Sequence, residues 1–256
     1  MRQAILSDIH GNLVALQAVL ADLEKQKVDE IVCLGDVVGY GPRPRECLRV
    51  AFDFRFTLKG NHEDAVLNRP EGFNEKARRA ILWTHDALMV GGEYEEEDRR
   101  IWNFLGGLPD RHQEGDTFYA HGSPRPGETF REYIFFLDCR DQRKMNEVFA
   151  SFDGRVCFVG HTHIPGIFED SCTGDGYYSC RASSGNSCYE LADRKVLVNV
   201  GSVGQPRDGD PRACYVIYDM GTVRFRRVPY DVEKAIQDFA GTNLPAYLAR
   251  RLREGK

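Results

Sequence analysis

Residues 3–12 read Gln3-Ala4-Ile5-Leu6-Ser7-Asp8-Ile9-His10-Gly11-Asn12. This segment passes from a short apolar run, which predicts a buried strand, into a polar cluster. Leu13, Leu16, Leu20 and Leu23 follow at the spacing of a helix with one buried face. A strand joined to a helix by a short polar turn is the first half of a βαβ unit, which indicates an α/β fold.

The same order of elements continues through the first quarter of the chain. Residues 30–34 predict a second buried strand that ends at Gly35-Asp36. Residues 53–58 predict a third strand, which ends at Gly60-Asn61-His62. Strand, helix and strand joined by short turns predict right-handed βαβ units and a mostly parallel sheet.

The rest of the chain divides into helical and strand-rich parts. Residues 74–106 have a helical pattern, in which the acidic run Glu93–Asp98 is interpreted as a solvated loop and helix start. The C-terminal segment 231–252 also predicts helix. Between these parts, short runs rich in Val, Phe, Tyr and Ile predict strands at 116–120, 155–159, 195–200, 213–219 and 222–228. No internal repeat or linker divides the chain, so we expect one domain over residues 1–256.

Residues 170–195 carry Cys172, Cys180 and Cys188 among Gly, Ser and Tyr residues. Three thiolates could hold a structural zinc ion, but their spacing matches no closed zinc pattern. A polar β-hairpin insertion is the simpler interpretation of this segment.

Composition limits the classes of function. The 256 residues are 42% hydrophobic, enough for a sizeable core without disulfides. The net charge of −5 argues against an extended nucleic-acid footprint, although a locally basic pocket is compatible with it. We find no signal peptide, and no apolar run approaches the roughly 20 residues of a membrane-spanning helix. We therefore expect a soluble cytoplasmic protein with reduced cysteines and no membrane partner.

Five short polar clusters carry the chemistry, and four of them directly follow predicted strands. In an open α/β sheet, ligands bind outside the carboxyl ends of the strands, so the clusters can converge there. Each cluster alone could be a turn or a pair of surface histidines, but their joint order makes an accident improbable. They are Asp8-Ile9-His10, Gly35-Asp36, Gly60-Asn61-His62-Glu63, His121-Gly122 and Gly160-His161-Thr162-His163.

The ligand types in these clusters predict a metal centre. Mixed imidazole and carboxylate ligands suit Mn, Fe or Zn, with Mn our first expectation. The set is too large for one tetrahedral ion but suits two divalent ions that share a bridging carboxylate, an arrangement used in phosphoryl transfer. The seven candidate ligands are Asp8, His10, Asp36, Asn61, His121, His161 and His163.

The ordered set of clusters resembles the calcineurin-like metallophosphoesterase superfamily, over residues 4 to about 219. The flanking sequences resemble its small bacterial and archaeal branch, often described as phosphodiesterases or compared with diadenosine tetraphosphatases. These flanking sequences are Gly35-Asp36-Val37-Val38-Gly39-Tyr40-Gly41-Pro42, His121-Gly122-Ser123-Pro124-Arg125 and Asn199-Val200-Gly201-Ser202-Val203-Gly204-Gln205-Pro206-Arg207.

The resemblance implies a four-layer α/β/β/α sandwich and a role for each candidate ligand. It implies that Asp8, His10 and His163 hold one ion and that Asp36 bridges to the other. Asn61, His121 and His161 would complete the second site. A hydroxide shared by the ions would be the nucleophile.

Further residues are candidates for acid catalysis and substrate binding. The resemblance implies that His62 lies near the leaving group and acts as general acid. Arg125 and Arg207 are candidate phosphate contacts, because a guanidinium group matches phosphate oxygens, although either could be a solvated surface residue. Tyr133 and Tyr40 could stack on a base or simply pack.

The sequence therefore predicts a dinuclear phosphoesterase that hydrolyses a phosphodiester or phosphoanhydride bond in a small nucleotide. A phosphomonoesterase, including a phosphoprotein phosphatase, is the alternative, because the same metal centre serves both reactions. A non-catalytic metal-binding scaffold is disfavoured because every ligand position and His62 are present. The physiological substrate, the native metals and the oligomeric state stay open.

Overall fold

The computed structural model describes residues 1–172 and 178–256, except for the side chain of Cys172. The strands are β1 Arg2–Leu6, β2 Glu30–Cys33, β3 Phe56–Thr57, β4 Arg111–Glu114, β5 Thr117–Ala120, β6 Val156–Val159, β7 Gly166–Cys172, β8 Tyr178–Ala182, β9 Ser187–Glu190, β10 Val196–Asn199, β11 Ala213–Asp219 and β12 Thr222–Val228. The α-helices are α1 Leu13–Gln26, α2 Pro44–Ala51, α3 Asn61–Leu67, α4 Glu75–Leu88, α5 Glu95–Gly107, α6 Gln142–Ala150, α7 Val232–Gln237 and α8 Ala246–Arg250, with 3-10 turns at Gly92–Tyr94, Phe136–Arg140 and Arg251–Arg253.

The strands form two six-stranded sheets. The first sheet has the order β3-β2-β1-β11-β12-β9, and the second has the order β4-β5-β6-β10-β7-β8. Both sheets are mixed rather than mostly parallel. Strands β1, β2 and β3 are parallel, but β11, β12 and β9 add to them antiparallel. The hairpin between β11 and β12 explains the difference, since its two strands are joined directly instead of through a crossover helix.

Three stacked hydrophobic cores confirm the four-layer α/β/β/α arrangement. Residue Ile5 of β1 joins the core between the sheets, together with Phe158 of β6 and Val216 of β11. Its neighbours Ala4 and Leu6 face the opposite way, into the core under α1, α2, α4 and α5. On the outer face of the second sheet, β6, α6 and the turn before α6 form the third core. This alternation along each strand places apolar side chains on both faces of both sheets.

Helix α1 shows how local sequence fixes an element next to the polar clusters. The Asn12 side chain accepts a hydrogen bond from the main-chain N–H of Ala15 at 3.1 Å and so caps the helix start. Lys27, with a left-handed backbone at φ 53°, ends the helix. The buried positions Ala15, Leu16 and others lie on one face, as the spacing predicted.

Two predicted elements differ in extent. The third strand covers only Phe56–Thr57, because the N–H groups of residues 52–54 instead close the last turn of α2. The helical region 74–106 is split into α4 and α5 at Gly91, whose φ of 69° interrupts a helix. The acidic run 93–98 is only partly solvated, since Glu97 and Asp98 pair with Arg45 at 3.1 and 2.5 Å.

The segment predicted as a hairpin insertion contributes to both sheets. Strand β8 pairs antiparallel with β7, whereas β9 pairs with β12 of the first sheet. Cys180 and Cys188 therefore lie in different sheets, while the side chain of Cys172 falls outside the described part of the chain. Over the described residues, the helices are too short or too polar to cross a membrane.

Candidate metal centre

All five polar clusters lie at adjoining strand ends of the two sheets. Asp8 and His10 follow β1, Asp36 follows β2, and Asn61 begins α3 just after β3. In the second sheet, His121 follows β5, and His161 and His163 follow β6. Strands β1, β2 and β3 are parallel to one another, as are β5 and β6, so each set brings its carboxyl ends to one edge. The six aspartates and histidines among these candidates are buried, and Asn61 is half-buried.

Three of these side chains form a first group that could hold a cation. The Asp8 Oδ1 atom lies 3.1 Å from His163 Nε2 and 3.8 Å from His10 Nε2. The two Nε2 atoms, of His10 and His163, are 3.2 Å apart. One oxygen and two nitrogens thus face a common point.

Asp36, His121 and His161 form a second group of the same kind. The His121 Nε2 atom lies 3.4 Å from Asp36 Oδ2 and 3.1 Å from His161 Nδ1. It also lies 3.2 Å from the Asn61 side-chain oxygen. This group therefore offers two imidazole nitrogens and two hard oxygens, a donor set that suits Mn, Fe or Zn.

Asp36 lies between the two groups. Its Oδ2 atom is 3.7 Å from His10 Nε2 in the first group and 3.4 Å from His121 Nε2 in the second. Its other oxygen, Oδ1, accepts the main-chain N–H of His62 at 2.9 Å. The carboxylate is thus held by one oxygen and presents the other to both groups.

Hydrogen bonds on the far side of the rings orient three of the histidines. The Nδ1 atoms of His10, His121 and His163 lie 3.1, 3.1 and 2.6 Å from the main-chain oxygens of Val38, Leu34 and Gln205, respectively. A carbonyl oxygen only accepts, so each Nδ1 carries the proton and donates it. In the neutral ring, each Nε2 then presents its lone pair to the centre, the usual arrangement for metal-binding histidines.

The orientation of these histidine rings bears on whether the residues fit a metal ion. The Nε2 lone pairs of His10 and His163 face each other at 3.2 Å, beside an Asp8 oxygen that accepts no hydrogen bond. Lone pairs and a carboxylate repel one another unless a cation lies between them. The side chains therefore fit a bound divalent ion.

The backbone is strained at the same residues. Asp8, His10, Asp36, His161 and His163 all have positive φ, between 49° and 64°. Left-handed backbone is uncommon outside glycine and costs energy that the surrounding structure must offset. Its concentration at five of the seven candidate ligands is typical of a functional site.

Glu63 belongs to one of the five polar clusters, although no role was predicted for it. Its buried carboxylate accepts three main-chain N–H groups, from Asp36 at 2.8 Å, Gly60 at 2.9 Å and Val38 at 3.1 Å. It thereby fixes the loop that carries Asp36 against the start of α3. Its position three residues after the helix cap could have predicted this role, because an acidic residue there commonly accepts the main-chain N–H of the cap residue.

The loop after β10 holds the opposite side of the centre. The Asn199 side-chain amide donates to the main-chain oxygen of Gly160 at 2.6 Å and to the Thr162 hydroxyl at 2.9 Å. The Ser202 hydroxyl donates to the main-chain oxygen of Asp8 at 2.8 Å. These bonds tie the two ligand loops, 8–10 and 161–163, to one support.

The buried charges of the centre favour the presence of a positive charge. Burial raises the pKa of Asp8, but His163 and His121 outweigh it and hold that pKa well below its usual range. Burial lowers the pKa of His161 to about 3, which leaves its ring neutral. For His121, the Asp36 and Asp8 carboxylates overcome burial and raise the pKa to about 9. The two carboxylates thus stabilise positive charge placed between them, as the raised pKa of His121 shows.

His62 lies beside the first group, and its main-chain N–H donates to Asp36 Oδ1. Its ring centroid is 4.7 Å from that of His10 and 4.3 Å from that of Tyr40. The buried Nδ1 atom has no hydrogen-bond partner among the described residues. Gly39 makes room for the ring, because a Cβ there would lie 2.1 Å from His62 Nδ1. Burial lowers the pKa of His62 to about 4.

Two cavities flank the centre. The first, of about 850 Å³, includes Asn61, Phe73 and His161 in its lining, and we call it the Phe73 cavity. The second, of about 610 Å³, includes Tyr40 and Arg207, and we call it the Arg207 cavity. Tyr133 lines both cavities. Its ring stacks on that of His161, with centroids 3.7 Å apart and planes 21° apart.

The two arginines predicted as phosphate contacts have different surroundings. Arg207 borders a cavity, and its buried Nε has no partner among the described residues. Arg125 instead pairs with Glu132 at 2.8 Å and Glu147 at 2.9 Å. Within the described part of the chain, neither cavity includes Arg125 in its lining. Two carboxylates already neutralise this guanidinium group, so its surroundings favour a structural role over substrate binding.

Known proteins are similar to this chain in sequence and in architecture. A family model described as calcineurin-like phosphoesterase matches residues 1–165. An uncharacterized protein of Methanocaldococcus jannaschii is 35% identical over 259 residues, covering 99% of this chain and 98% of that protein. The crystal structure of a metallophosphoesterase from Sphaerobacter thermophilus matches all of both chains with 36% identity and a TM-score of 0.85. A hypothetical protein from Pyrococcus horikoshii, at 19% identity and TM-score 0.70 over 100% of this chain and 98% of that one, shares the fold.

Proposed function

Because this chain belongs to the calcineurin-like phosphoesterase family and is a metal-dependent phosphoesterase, we propose that it hydrolyses a phosphodiester or phosphoanhydride bond in a small nucleotide. The observation that carries the proposal is the position of Asp36. Its Oδ2 atom faces both ligand groups, 3.7 Å from His10 Nε2 and 3.4 Å from His121 Nε2. A carboxylate in this position suits a dinuclear centre.

In this proposal, Asp8, His10 and His163 hold one divalent ion, and Asp36 bridges to the second. The second ion is completed by the remaining candidates, Asn61, His121 and His161. When bound, such a pair of ions activates water as a nucleophile and stabilises the attacking and leaving oxygens of phosphoryl transfer. Manganese is our first expectation for the metal, with iron and zinc close behind, because the ligands are imidazoles and hard oxygens.

We assign His62 the role of general acid toward the leaving oxygen. Its ring lies next to His10 and Tyr40, and its Nδ1 has no competing partner among the described residues. With a pKa lowered to about 4 by burial, the ring is neutral near pH 7. A bound phosphate would place negative charge beside it, which raises a histidine pKa toward the protonated form that an acid requires.

The cavities support a small substrate with a group on each side of the phosphorus. Volumes of about 850 and 610 Å³ are typical of small-molecule sites. Tyr133 stacks on His161 between the two cavities, and Arg207 lines the second. A phosphodiester carries two ester groups and can fill both cavities, whereas a monoester carries one. This favours diester or anhydride cleavage over the phosphomonoesterase alternative.

The experiment is metal-dependent hydrolysis of a substrate panel. It comprises a nitrophenyl monoester, a bis-nitrophenyl diester, a 2′,3′-cyclic nucleotide and a dinucleoside tetraphosphate, each with Mn, with chelator and with the Asp36→Asn variant. Higher kcat/KM for the diesters or the tetraphosphate supports the proposal. Preference for the monoester would make the protein a phosphatase. No turnover of any compound despite bound metal would indicate a scaffold.

We also propose that the protein is located in the cytoplasm, where its cysteines stay reduced. The seven cysteines with described side chains are free thiols, and five of them are buried as small core residues. Thiol titration of the denatured protein from cell extract tests this setting, since oxidised cysteines would contradict it.

A further inference from the structure

The C-terminal segment forms one wall beside the proposed metal centre. Helix α8 and the 3-10 turn Arg251–Arg253 are anchored by Leu244 and Leu248, which pack with Ala80 of α4. Tyr40 packs against the same apolar cluster. Tyr40 in turn contacts the rings of His10 and His62, so this wall adjoins the centre directly.

The Arg207 cavity has a basic and aromatic lining. Arg207, Arg251 and Lys76 supply three cationic groups, whereas Glu75 is the single acidic residue found among its lining residues in the described chain. The tyrosines of the lining are Tyr40, Tyr133 and Tyr247. Because the protein has a net charge of −5, this concentration of positive charge is a local feature of the cavity.

Neither arginine forms an ion pair with an aspartate or glutamate in the described chain. Arg207 donates to the Gln205 side-chain oxygen at 2.9 Å, while its buried Nε has no partner. The Arg251 Nε donates to an oxygen of Lys256, the last residue, while neither of its Nη groups has a hydrogen-bonding partner in the described chain. By contrast, Arg226 pairs with Asp22 and Arg227 with Asp208.

The two guanidinium groups also repel each other. Burial and the positive charge of Arg207 lower the pKa of Arg251. Two neighbouring cations that no aspartate or glutamate neutralises raise the free energy of the folded protein, and a bound anion would reverse this cost. Guanidinium groups recognise phosphate through paired N–H donors, so phosphate is the anion that this arrangement fits best.

We propose that Arg207 and Arg251 form a subsite for a second, non-scissile phosphate of the substrate, with Tyr40 and Tyr247 beside it. The preferred substrates would then be small phosphate compounds with at least two phosphate groups. This inference rests on the proposed function, because it assumes that the first phosphate lies at the metal centre. The second phosphate can belong to a polyphosphate chain or to a separate ester on the same sugar.

The test compares Arg251→Gln with the matched control Arg250→Gln. Arg250 is an exposed neighbour in α8, and its replacement removes the same charge from the same segment. Three substrates are used with the Mn-loaded enzyme: a dinucleoside tetraphosphate, a nucleoside 2′,3′-cyclic phosphate that also carries a 5′-phosphate, and the single-phosphate bis-nitrophenyl diester. Metal content and thermal midpoint of each variant show that it is folded and loaded.

We expect Arg251→Gln to reduce kcat/KM for a compound with two or more phosphates about 10- to 100-fold relative to the single-phosphate diester, mainly through KM. Arg250→Gln should leave this ratio at the wild-type value, and Arg251→Lys should restore part of it. A loss for the tetraphosphate alone identifies a polyphosphate chain, and a loss for the 5′-phosphorylated cyclic nucleotide alone identifies a separate ester.

The inference is overturned if Arg251→Gln lowers kcat/KM equally for all three substrates, or for none. Failure of the proposed function gives a different result, since the wild-type enzyme would then cleave no diester or anhydride bond in any of the three compounds. A variant that unfolds is replaced by Arg251→Lys in the same comparison, where equal ratios for all substrates would again overturn the inference.

Discussion

The Nε2 atoms of His10 and His163 lie 3.2 Å apart, with the Nδ1 of each ring directed at a main-chain oxygen. Two neutral imidazoles held in this way present lone pair to lone pair. A cation between them would make the arrangement favourable, and the main-chain contacts of the two Nδ1 atoms hold both candidate ligands in this position.

Replacing the proposed bridging carboxylate should impair both ion sites. We expect Asp36→Asn to lower bound Mn from two ions per chain to fewer than one and to weaken affinity at least about 100-fold, since even outer partners of metal ligands matter by about 10- to 100-fold. Elemental analysis after dialysis measures this. Asp53→Asn, an exposed surface change, is the control. Full activity with stoichiometric metal in Asp36→Asn would refute the bridging role.

Loss of the His62 imidazole should slow the chemical step without removing metal. We expect His62→Ala to lower kcat by about 10²- to 10⁴-fold for esters with poor leaving groups, and much less for nitrophenyl esters. A plot of log kcat against leaving-group pKa should steepen. The partly exposed His85 provides the control variant His85→Ala. Equal slowing across all leaving groups would exclude proton donation by His62.

Glu63 should act through the loop that carries Asp36. Glu63→Gln replaces one acceptor oxygen by an N–H₂ group that faces main-chain N–H donors, so we expect a loss of about 2–4 kcal/mol in stability. Metal affinity should fall about 10- to 100-fold because Asp36 loses its support. Urea unfolding and metal titration measure the two effects, with exposed Glu24→Gln as control. Unchanged metal affinity would remove Glu63 from the positioning of Asp36.

Substitution of the two candidate arginines should have different effects on KM. Arg207→Gln removes N–H donors from the Arg207 cavity, so KM should rise about 10- to 100-fold. Arg125→Gln removes ion pairs of a side chain that is 30% exposed, so it should cost about 0.5–1 kcal/mol of stability and leave KM alone. Steady-state kinetics and urea unfolding of both variants decide between the roles. A raised KM in Arg125→Gln would show that Arg125 contributes to substrate binding.

Asp22 provides a pH-dependent contribution to stability away from the metal centre. Burial raises the pKa of Asp22, but hydrogen bonds from Arg226 and Tyr215 outweigh it, and the pKa lies below its usual value. The ionised form is thus favoured by folding, so its contribution is present above about pH 4 and is lost as pH falls through the lowered pKa.

We therefore expect Asp22→Asn to cost about 1–2 kcal/mol at neutral pH and distinctly less near about pH 3.5. Urea unfolding at the two pH values measures the difference, with Asp53→Asn as the control at both. A cost that is independent of pH would show that the charge of Asp22 contributes nothing to stability.

Much of the fold could be predicted from local sequence. The strands β1, β2, β5, β6, β10, β11 and β12 lie within a residue or two of their predicted positions, because apolar runs bounded by polar turns are a local signal. The third strand was overestimated, since apolar Phe54 packs under α2 instead of extending the sheet. Periodicity alone could not distinguish these two environments.

The sequence by itself determined the order of the elements and the list of candidate ligands, because both depend on residues close together in the chain. Tertiary structure alone decided that Arg125 is neutralised by Glu132 and Glu147, and that Arg251 reaches the cavity of Arg207. It also decided which ring nitrogen of His10 faces the centre, through the Val38 oxygen. These features depend on contacts between distant segments, and hydrophobic packing of the four layers sets such contacts without leaving a local pattern in the chain.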